Sequence, residues 1–276
     1  MSTDSNNNSP LSKTTTAHAE DLEPGRYGPL AHINTAESRV PAFGGEFQPG
    51  LYRSPKNRRV ANPAPLGLCG FALTTFVLGC LEMGVKGISK PNMIVGPALA
   101  YGGLVQLLAG MWEMAVGNTF GATVLSSYGG FWMSTAMIFI PGGFNIMQSL
   151  VEADNGSPIM FYNAFALYLM GWFIFTTLIT FCTVKSTVAF FSLFFFVDIA
   201  LLLISLAYFY PNAQGLPNEA LRKAGGLFAL LGAFLAWYNA FAGIADNSNS
   251  FFVPPVVHFP WSEKRQSARR GPESAV

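Results

Sequence analysis

The amino-acid sequence predicts an all-α, polytopic membrane protein with six transmembrane helices between polar tails. Three observations carry this. Charged residues are only 11% of the 276 while hydrophobic ones are 51%, and mean hydropathy is +0.35, a balance far from that of a soluble domain. Six apolar runs approach the ~20 residues a helix needs to cross about 30 Å of hydrocarbon. Lys and Arg gather in the tails and leave most of the interior empty, so a formal net charge of +1 hides strong segregation. That pattern gives no basic face for nucleic acid.

Residues 1–60 are polar, broken by Pro and Gly, and without apolar periodicity, which predicts a largely disordered cytoplasmic tail. Its start, MSTDSNNNSPLSKTTT, is not an apolar run behind a positive segment, so the first helix is expected to serve as the insertion signal. A basic cluster of Arg53, Lys56, Arg58 and Arg59 stands directly before the membrane.

The stretch Asn62-Pro63-Ala64-Pro65-Leu66-Gly67-Leu68 opens the first span. Two prolines one residue apart suit only the first turn of a helix, where the missing N–H groups have no intrahelical acceptor anyway. Asn62 is a candidate cap. Gly67 and Gly70 then remove bulk where another backbone or a solute approaches. The stretch reads either as a well-started transmembrane helix or as an element at the entrance of a pore.

The predicted spans are 65–84, 93–116, 120–140, 161–184, 187–208 and 224–244, within a membrane domain of residues 61–246. Very short links at Gly117-Asn118-Thr119 and at Lys185-Ser186-Thr187 make helices two and three, and four and five, antiparallel hairpins. An even number of spans puts both tails on one side. The positive-inside rule makes that side cytoplasmic: Arg53, Lys56, Arg58, Arg59, Lys185, Lys264, Arg265, Arg269 and Arg270 lie there, against Lys86, Lys90, Arg222 and Lys223 outside. The 141–160 loop is then external, with Glu152, Asp154 and the sequon Asn155-Gly156-Ser157. Residues 247–276, too polar and proline-broken to span, are expected to form a basic, mobile cytoplasmic tail in reach of anionic membrane lipid.

Each polar residue in a span needs a reason, since a central charge costs roughly 2.5–3.5 kcal/mol on insertion scales. Gln106 and Glu113, seven positions apart, return to within about 20° of one another on a helix, beside Gly102, Gly103, Ala109 and Gly110. This stripe is a packing seam or a polar path. On helix one, Phe71, Thr75, Leu78 and Glu82 share a face, so Glu82 is an interfacial carboxylate or faces whatever Phe71 faces. Asp198, central in helix five, is protonated or paired with a donor on another helix.

His18, His32 and His258 all lie in the tails, so no histidine relay or metal cluster is predicted within the membrane. Cys69, Cys80 and Cys182 fall inside spans and read as small buried apolar residues. No phosphate-binding glycine loop is present. The expectation is a non-enzymatic protein with no cofactor and no metal.

Asn62-Pro63-Ala64-Pro65-Leu66-Gly67-Leu68-Cys69-Gly70-Phe71 closely resembles the signature of the acetate uptake transporter family of fungal acetate permeases and bacterial succinate–acetate permeases. So do the segments Gly102–Glu113, Gly117–Gly121, Ser127–Trp132 and Phe190–Leu193, and the resemblance covers about residues 62–254. It implies a six-helix protomer in a homo-hexamer, expected in the plasma membrane, with a pathway in each protomer for acetate and other small monocarboxylates and proton-linked uptake. It also implies an apolar constriction of a Phe, a Tyr and a Leu, which fall on Phe71, Tyr128 and Leu193. Gln106, Glu113, Thr75 and Glu82 are then candidates for the substrate path or its proton linkage, and Asn62, Pro63, Ala64 and Pro65 for the entrance. If Leu193 faces that path, Asp198 is rotated away from it by about 140° and meets a helix or subunit contact. Two other classes remain. A sensor acting through its tails is one. A neutral-solute channel is the other, since Asn-Pro-Ala is also the aquaporin tripeptide, although that motif occurs here once rather than twice.

Overall fold

The computed structural model describes residues 61–88, 91–246 and 248–262. The expectations for residues 1–60, Lys90 and 263–276 therefore lie outside the described residues. The described chain is helical, and its six long helices begin and end within a few residues of the predicted spans.

Helix α1 (Ala64–Glu82) starts as the proline spacing requires, with Pro63 at its cap and Asn62 Oδ1 accepting the Ala64 N–H at 3.0 Å. Helix α2 (Asn92–Val116) covers the second predicted span but is not uniform along it. A 3-10 turn over Pro91–Ile94 leads into α-helix over Val95–Leu99, a π-helical stretch over Ala100–Val105, and α-helix again over Gln106–Val116. Sequence periodicity shows no such break. Its causes are Pro97, which has no N–H to give, and Gly102-Gly103, which accept a widened turn. The Tyr101 carbonyl there lies so close to α1 that a Cβ on Gly70 would sit 2.6 Å from its oxygen.

Gly117 ends α2 in the left-handed region, φ 88°, where a side chain is disfavoured. Asn118 then caps α3 (Thr119–Phe139), accepting the Gly121 N–H at 3.0 Å. Helix α4 (Ile146–Ala153) is short, α5 (Ile159–Thr183) long. Thr187 caps α6 (Val188–Phe209) through the Phe190 N–H at 3.2 Å, and Asn218 caps α7 (Glu219–Ile244) through the Leu221 N–H at 3.2 Å. Side-chain caps thus stand where polar residues meet an apolar run.

Five of these helices, α1, α2, α5, α6 and α7, are long and apolar enough to cross a membrane, and the chain is an integral membrane protein. Helix α3 has the length, 21 residues, but its Gly, Ser and Thr content lowers its hydropathy. Those residues serve packing: a Cβ on Gly129 would meet the Leu107 backbone of α2 at 2.8 Å. Helices α1 and α7 run antiparallel, Glu82 meeting Arg222 at one end and Pro65 lying against Gly243 at the other.

Two segments differ from the sequence reading. The 141–160 connection contains α4, whose Ile146, Met147, Leu150 and Val151 lie on one side with Gln148, Ser149 and Glu152 on the other, an amphipathic pattern that suits an interface. Residues 248–262, read as part of a mobile tail, are bound to the bundle. The Val188 N–H donates to the Val257 carbonyl at 2.9 Å, Trp261 Nε1 donates to the Val184 carbonyl at 3.0 Å, and the Tyr238 hydroxyl donates to the Pro255 carbonyl.

The glycine contacts give a direct test. Gly70→Ala forces α1 away from the Tyr101 carbonyl, an overpacking that costs about 1–3 kcal/mol. Gly171→Ala in α5 meets nothing within 4 Å and should be neutral or stabilising by up to about 1 kcal/mol. Thermal unfolding of the two detergent-solubilised variants should separate them in that order.

Candidate functional site

Phe71 and Tyr128 meet in the interior, their ring centroids 5.4 Å apart. Helix α1 brings Phe71, Thr75 and Leu78 along one face, α3 brings Tyr128, Phe131 and Trp132, α6 brings Val197, Ala200, Leu201 and Ile204, and α7 brings Ala229. Together these line a cavity of about 30 Å³. The spacing of the α1 residues is the one the sequence set out.

Leu193 is buried, 1% exposed, in the same apolar cluster. It does not line the cavity; Val197, one turn further along α6, does. Leu193 therefore sits one turn below on the face that carries Val197, Ala200, Leu201 and Ile204. Asp198 turns off that face, as the rotation from Leu193 requires, and its Oδ1 accepts the Thr177 hydroxyl of α5 at 2.9 Å.

Tyr128 is the hub of the aromatic interior. Besides Phe71, the rings of Phe175, Trp172 and Phe194 lie 5.7, 6.2 and 6.4 Å from it. Its hydroxyl is 2.8 Å from Thr176 Oγ1, and Thr176 gives its own proton to the Trp172 carbonyl at 2.8 Å. A threonine hydroxyl has one proton, so Tyr128 is the donor in this pair. Its proton is committed to α5.

The cavity's lining residues nonetheless include two donors with no partner. Thr75 Oγ1 and Trp132 Nε1 are buried without a hydrogen bond among the described residues, and their residues are 4% and 1% exposed. An orphaned buried donor costs about 1–3 kcal/mol, and neither of these two atoms reaches the cavity surface, which is apolar.

The other candidates lie around this centre. Gln106 is fully buried with neither amide atom partnered, and its Cβ lies 3.6 Å from where a Cβ on Gly70 would be, next to Phe71. Glu113, seven residues on and at the far end of α2, accepts the Asn118 side-chain amide at 2.7 Å, beside the Asn118 cap of α3. Around the two, Gly102 closely approaches Thr74 of α1 and Gly110 closely approaches Ser126 of α3, so their stripe lies against both helices. Asn62, Pro63, Ala64 and Pro65 sit at the start of α1, against the C-terminal end of α7.

Glu82 lies at the opposite end of α1, one turn past Leu78. It is 8% exposed, and its Oε2 is 2.7 Å from Arg222 Nε of α7. Sequence reasoning named Glu82 but not its partner. The available signal was electrostatic: a carboxylate at a helix end needs a countercharge, and Arg222 is a cation at the start of a span with the same sidedness. Thr176 and Trp132 carried no such signal, for Thr and Trp in an apolar run read as packing.

Residues 43–261 match the model of the GPR1/FUN34/yaaH family. Acetate permease A of Emericella nidulans is 62% identical over 247 residues, covering 90% of this chain and 83% of the relative. Succinate-acetate/proton symporter SatP of Escherichia coli is 33% identical over 201 residues, covering 72% of this chain and 97% of the relative. The solved structure of the bacterial acetate channel SatP superposes with a TM-score of 0.57 at 28% identity, covering 72% of this chain and 99% of that one. Matches of this extent, over the residues that build the cavity, show that the chain belongs to the GPR1/FUN34/yaaH family.

Proposed function

We propose that this protein carries acetate and other small monocarboxylates across the plasma membrane, by proton-linked uptake through a path within each protomer of a homo-hexamer. In this reading six helices cross the membrane with both tails cytoplasmic. Phe71, Tyr128 and Leu193 form the constriction, and Asn62, Pro63, Ala64 and Pro65 the inner entrance. The observation that carries the reading is the apolar cavity beside Phe71 and Tyr128, with the unpartnered donors of Thr75 and Trp132 among its lining residues.

The chemistry favours this class of solute. An apolar constriction accepts a methyl group without cost, whereas a bare carboxylate in such surroundings costs tens of kcal/mol by simple solvation estimates. A proton taken up on the way removes most of that cost. The apolar wall thus supports proton linkage, with Gln106 and Glu113 beside it as candidates for the path or its proton linkage. Affinity alone cannot reject longer acids, because one methylene adds only about 0.8 kcal/mol of burial. Steric closure by two rings and a leucine can.

Purified protein in liposomes is expected to take up labelled acetate, and absence of uptake in correctly inserted protein would reject the reading. Within that assay Thr75→Val, which keeps shape and removes the hydroxyl, should lower uptake about tenfold, since a hydrogen bond to a charged group is worth about 1.5–3 kcal/mol. Tyr128→Phe should stay within about threefold of the wild type, because its proton is bound to Thr176 and the lost hydrogen bond is worth about 1 kcal/mol of stability. Loss of uptake in Tyr128→Phe would assign the hydroxyl to the substrate instead. Leu193→Ala should let larger or hydroxylated monocarboxylates compete with acetate, and an unchanged size ranking would move the constriction elsewhere.

A further inference from the structure

Three of the helices that line the cavity each carry a polar residue beyond it, all at the same end. On α1, Glu82 lies one turn past Leu78, about 6 Å along the axis. On α6, Tyr208 lies one turn past Ile204. On antiparallel α7, Arg222 lies seven residues before Ala229, about 10 Å along the axis. The Asn218 N–H joins these ends by donating to the Ala207 carbonyl at 2.9 Å. Glu82, Tyr208 and Arg222 thus form a polar rim above an apolar cavity.

The helix crossing fixes this rim. A Cβ on Gly226 would lie 2.9 Å from the Gly79 carbonyl oxygen and 3.0 Å from Glu82 Cβ. Backbone contact at that level delivers Glu82 to Arg222. The ion pair itself is incomplete as a structural clamp: Glu82 Oε2 takes the Arg222 Nε–H at 2.7 Å, and the remaining guanidinium N–H groups have no acceptor among the described residues. A contact through Nε alone leaves the two terminal nitrogens, the pair of donors that matches a carboxylate, without a bond to Glu82. Here the side chain stays 28% exposed, with its terminal fork unfilled.

We propose that this terminal fork of Arg222 is the receiving site for small carboxylates, with Glu82 as the positioning residue that holds the guanidinium plane through Nε. The planar fork matches the two oxygens of a carboxylate, and the 28% exposure of Arg222 lets solvent screen the added charge from Glu82 and from Glu219, which also acts on Arg222. From there the solute's methyl group faces Leu78 and the cavity below. The site rests on the transport reading above, and it commits to a dissolved carboxylate rather than a lipid phosphate because Arg222 is held on the side of α7 that faces α1, against Glu82.

The test uses the full-length protein in detergent and reads binding rather than transport. Phenylglyoxal labelling of Arg222, followed by peptide mass mapping, should slow as acetate is added and should not respond to acetamide, its neutral isostere, or to chloride at equal concentration. In liposomes Arg222→Gln should raise the half-saturating acetate concentration about tenfold, the loss of one charge-assisted pair, with the maximal rate retained. Glu82→Leu, which takes the acceptor from Nε, should raise the half-saturating concentration severalfold, and Glu82→Gln, which restores an acceptor, should bring it back toward the wild type; equal values for the two variants would remove Glu82 from the site. Labelling indifferent to acetate, equal protection by chloride, or protection by phosphatidylglycerol micelles alone would each overturn the site. If that happens while the wild type still takes up acetate, the transport reading stands and only the receiving site fails.

Discussion

Lipid offers no hydrogen bonds, so every polar group in the bundle must find its partner inside the protein or remain unsatisfied. Most of the chain obeys this locally. The hydroxyls of Thr74, Thr135, Thr176 and Thr180 each donate to the carbonyl four residues back, at 2.8–2.9 Å. Pairs between helices complete the accounting: Asp198 with Thr177, Glu113 with Asn118, Glu82 with Arg222. Against that background the exceptions stand out. Among the described residues, Gln106, Thr75 and Trp132, beside α1 near Phe71, have buried side-chain atoms without a partner, as do Ser126 on α3 and Asn239 on α7.

The same constraint explains why the aromatic interior is rigid where it narrows. Tyr128 is held by rings on four sides and by a proton given to Thr176, whose own proton is committed to Trp172. A ring fixed in this way cannot swing its hydroxyl toward a passing solute without leaving Thr176 unmatched. Its contribution to a path is therefore shape. The donors that remain available come from α1 and from the turn of α3 that carries Trp132, one turn past Tyr128.

The spans were legible because hydrocarbon thickness sets their length, and because Pro63-Ala64-Pro65, Gly117-Asn118 and Thr187 punctuate them with residues whose backbone chemistry allows few alternatives. The shared face of Phe71, Thr75, Leu78 and Glu82 was legible for the same reason, being fixed by helical period alone. What was not legible depends on other helices. The π-helical stretch over Ala100–Val105 is held where Tyr101 and Gly102 touch α1, so no local period announces it. The docking of residues 248–262 rests on partners such as Val188, Val184 and Tyr238, far away in sequence. Helix α4 was missed because eight residues with one apolar side read as a polar loop when longer apolar runs surround them. Phe71 and Tyr128 lie side by side, and the cavity takes Val197 rather than Leu193 from α6, one turn further along that helix.

The energetic problem along α1 is then one of unequal environments. At Glu82 and Arg222 water still reaches the rim, and charge is screened. Two turns lower, at Thr75, the surroundings are apolar, and a cavity of about 30 Å³ has room for only about two waters. Those waters find few partners, since Tyr128 is already committed to Thr176 and the cavity surface is apolar. Poorly held water is displaced at little cost. In the transport reading proposed above, a two-carbon acid displaces it with its methyl against Phe71, Leu78 and Ala229, whereas a longer acid must first move a ring. The cavity's small volume, more than the strength of any single contact, limits what can follow the α1 face through the interior.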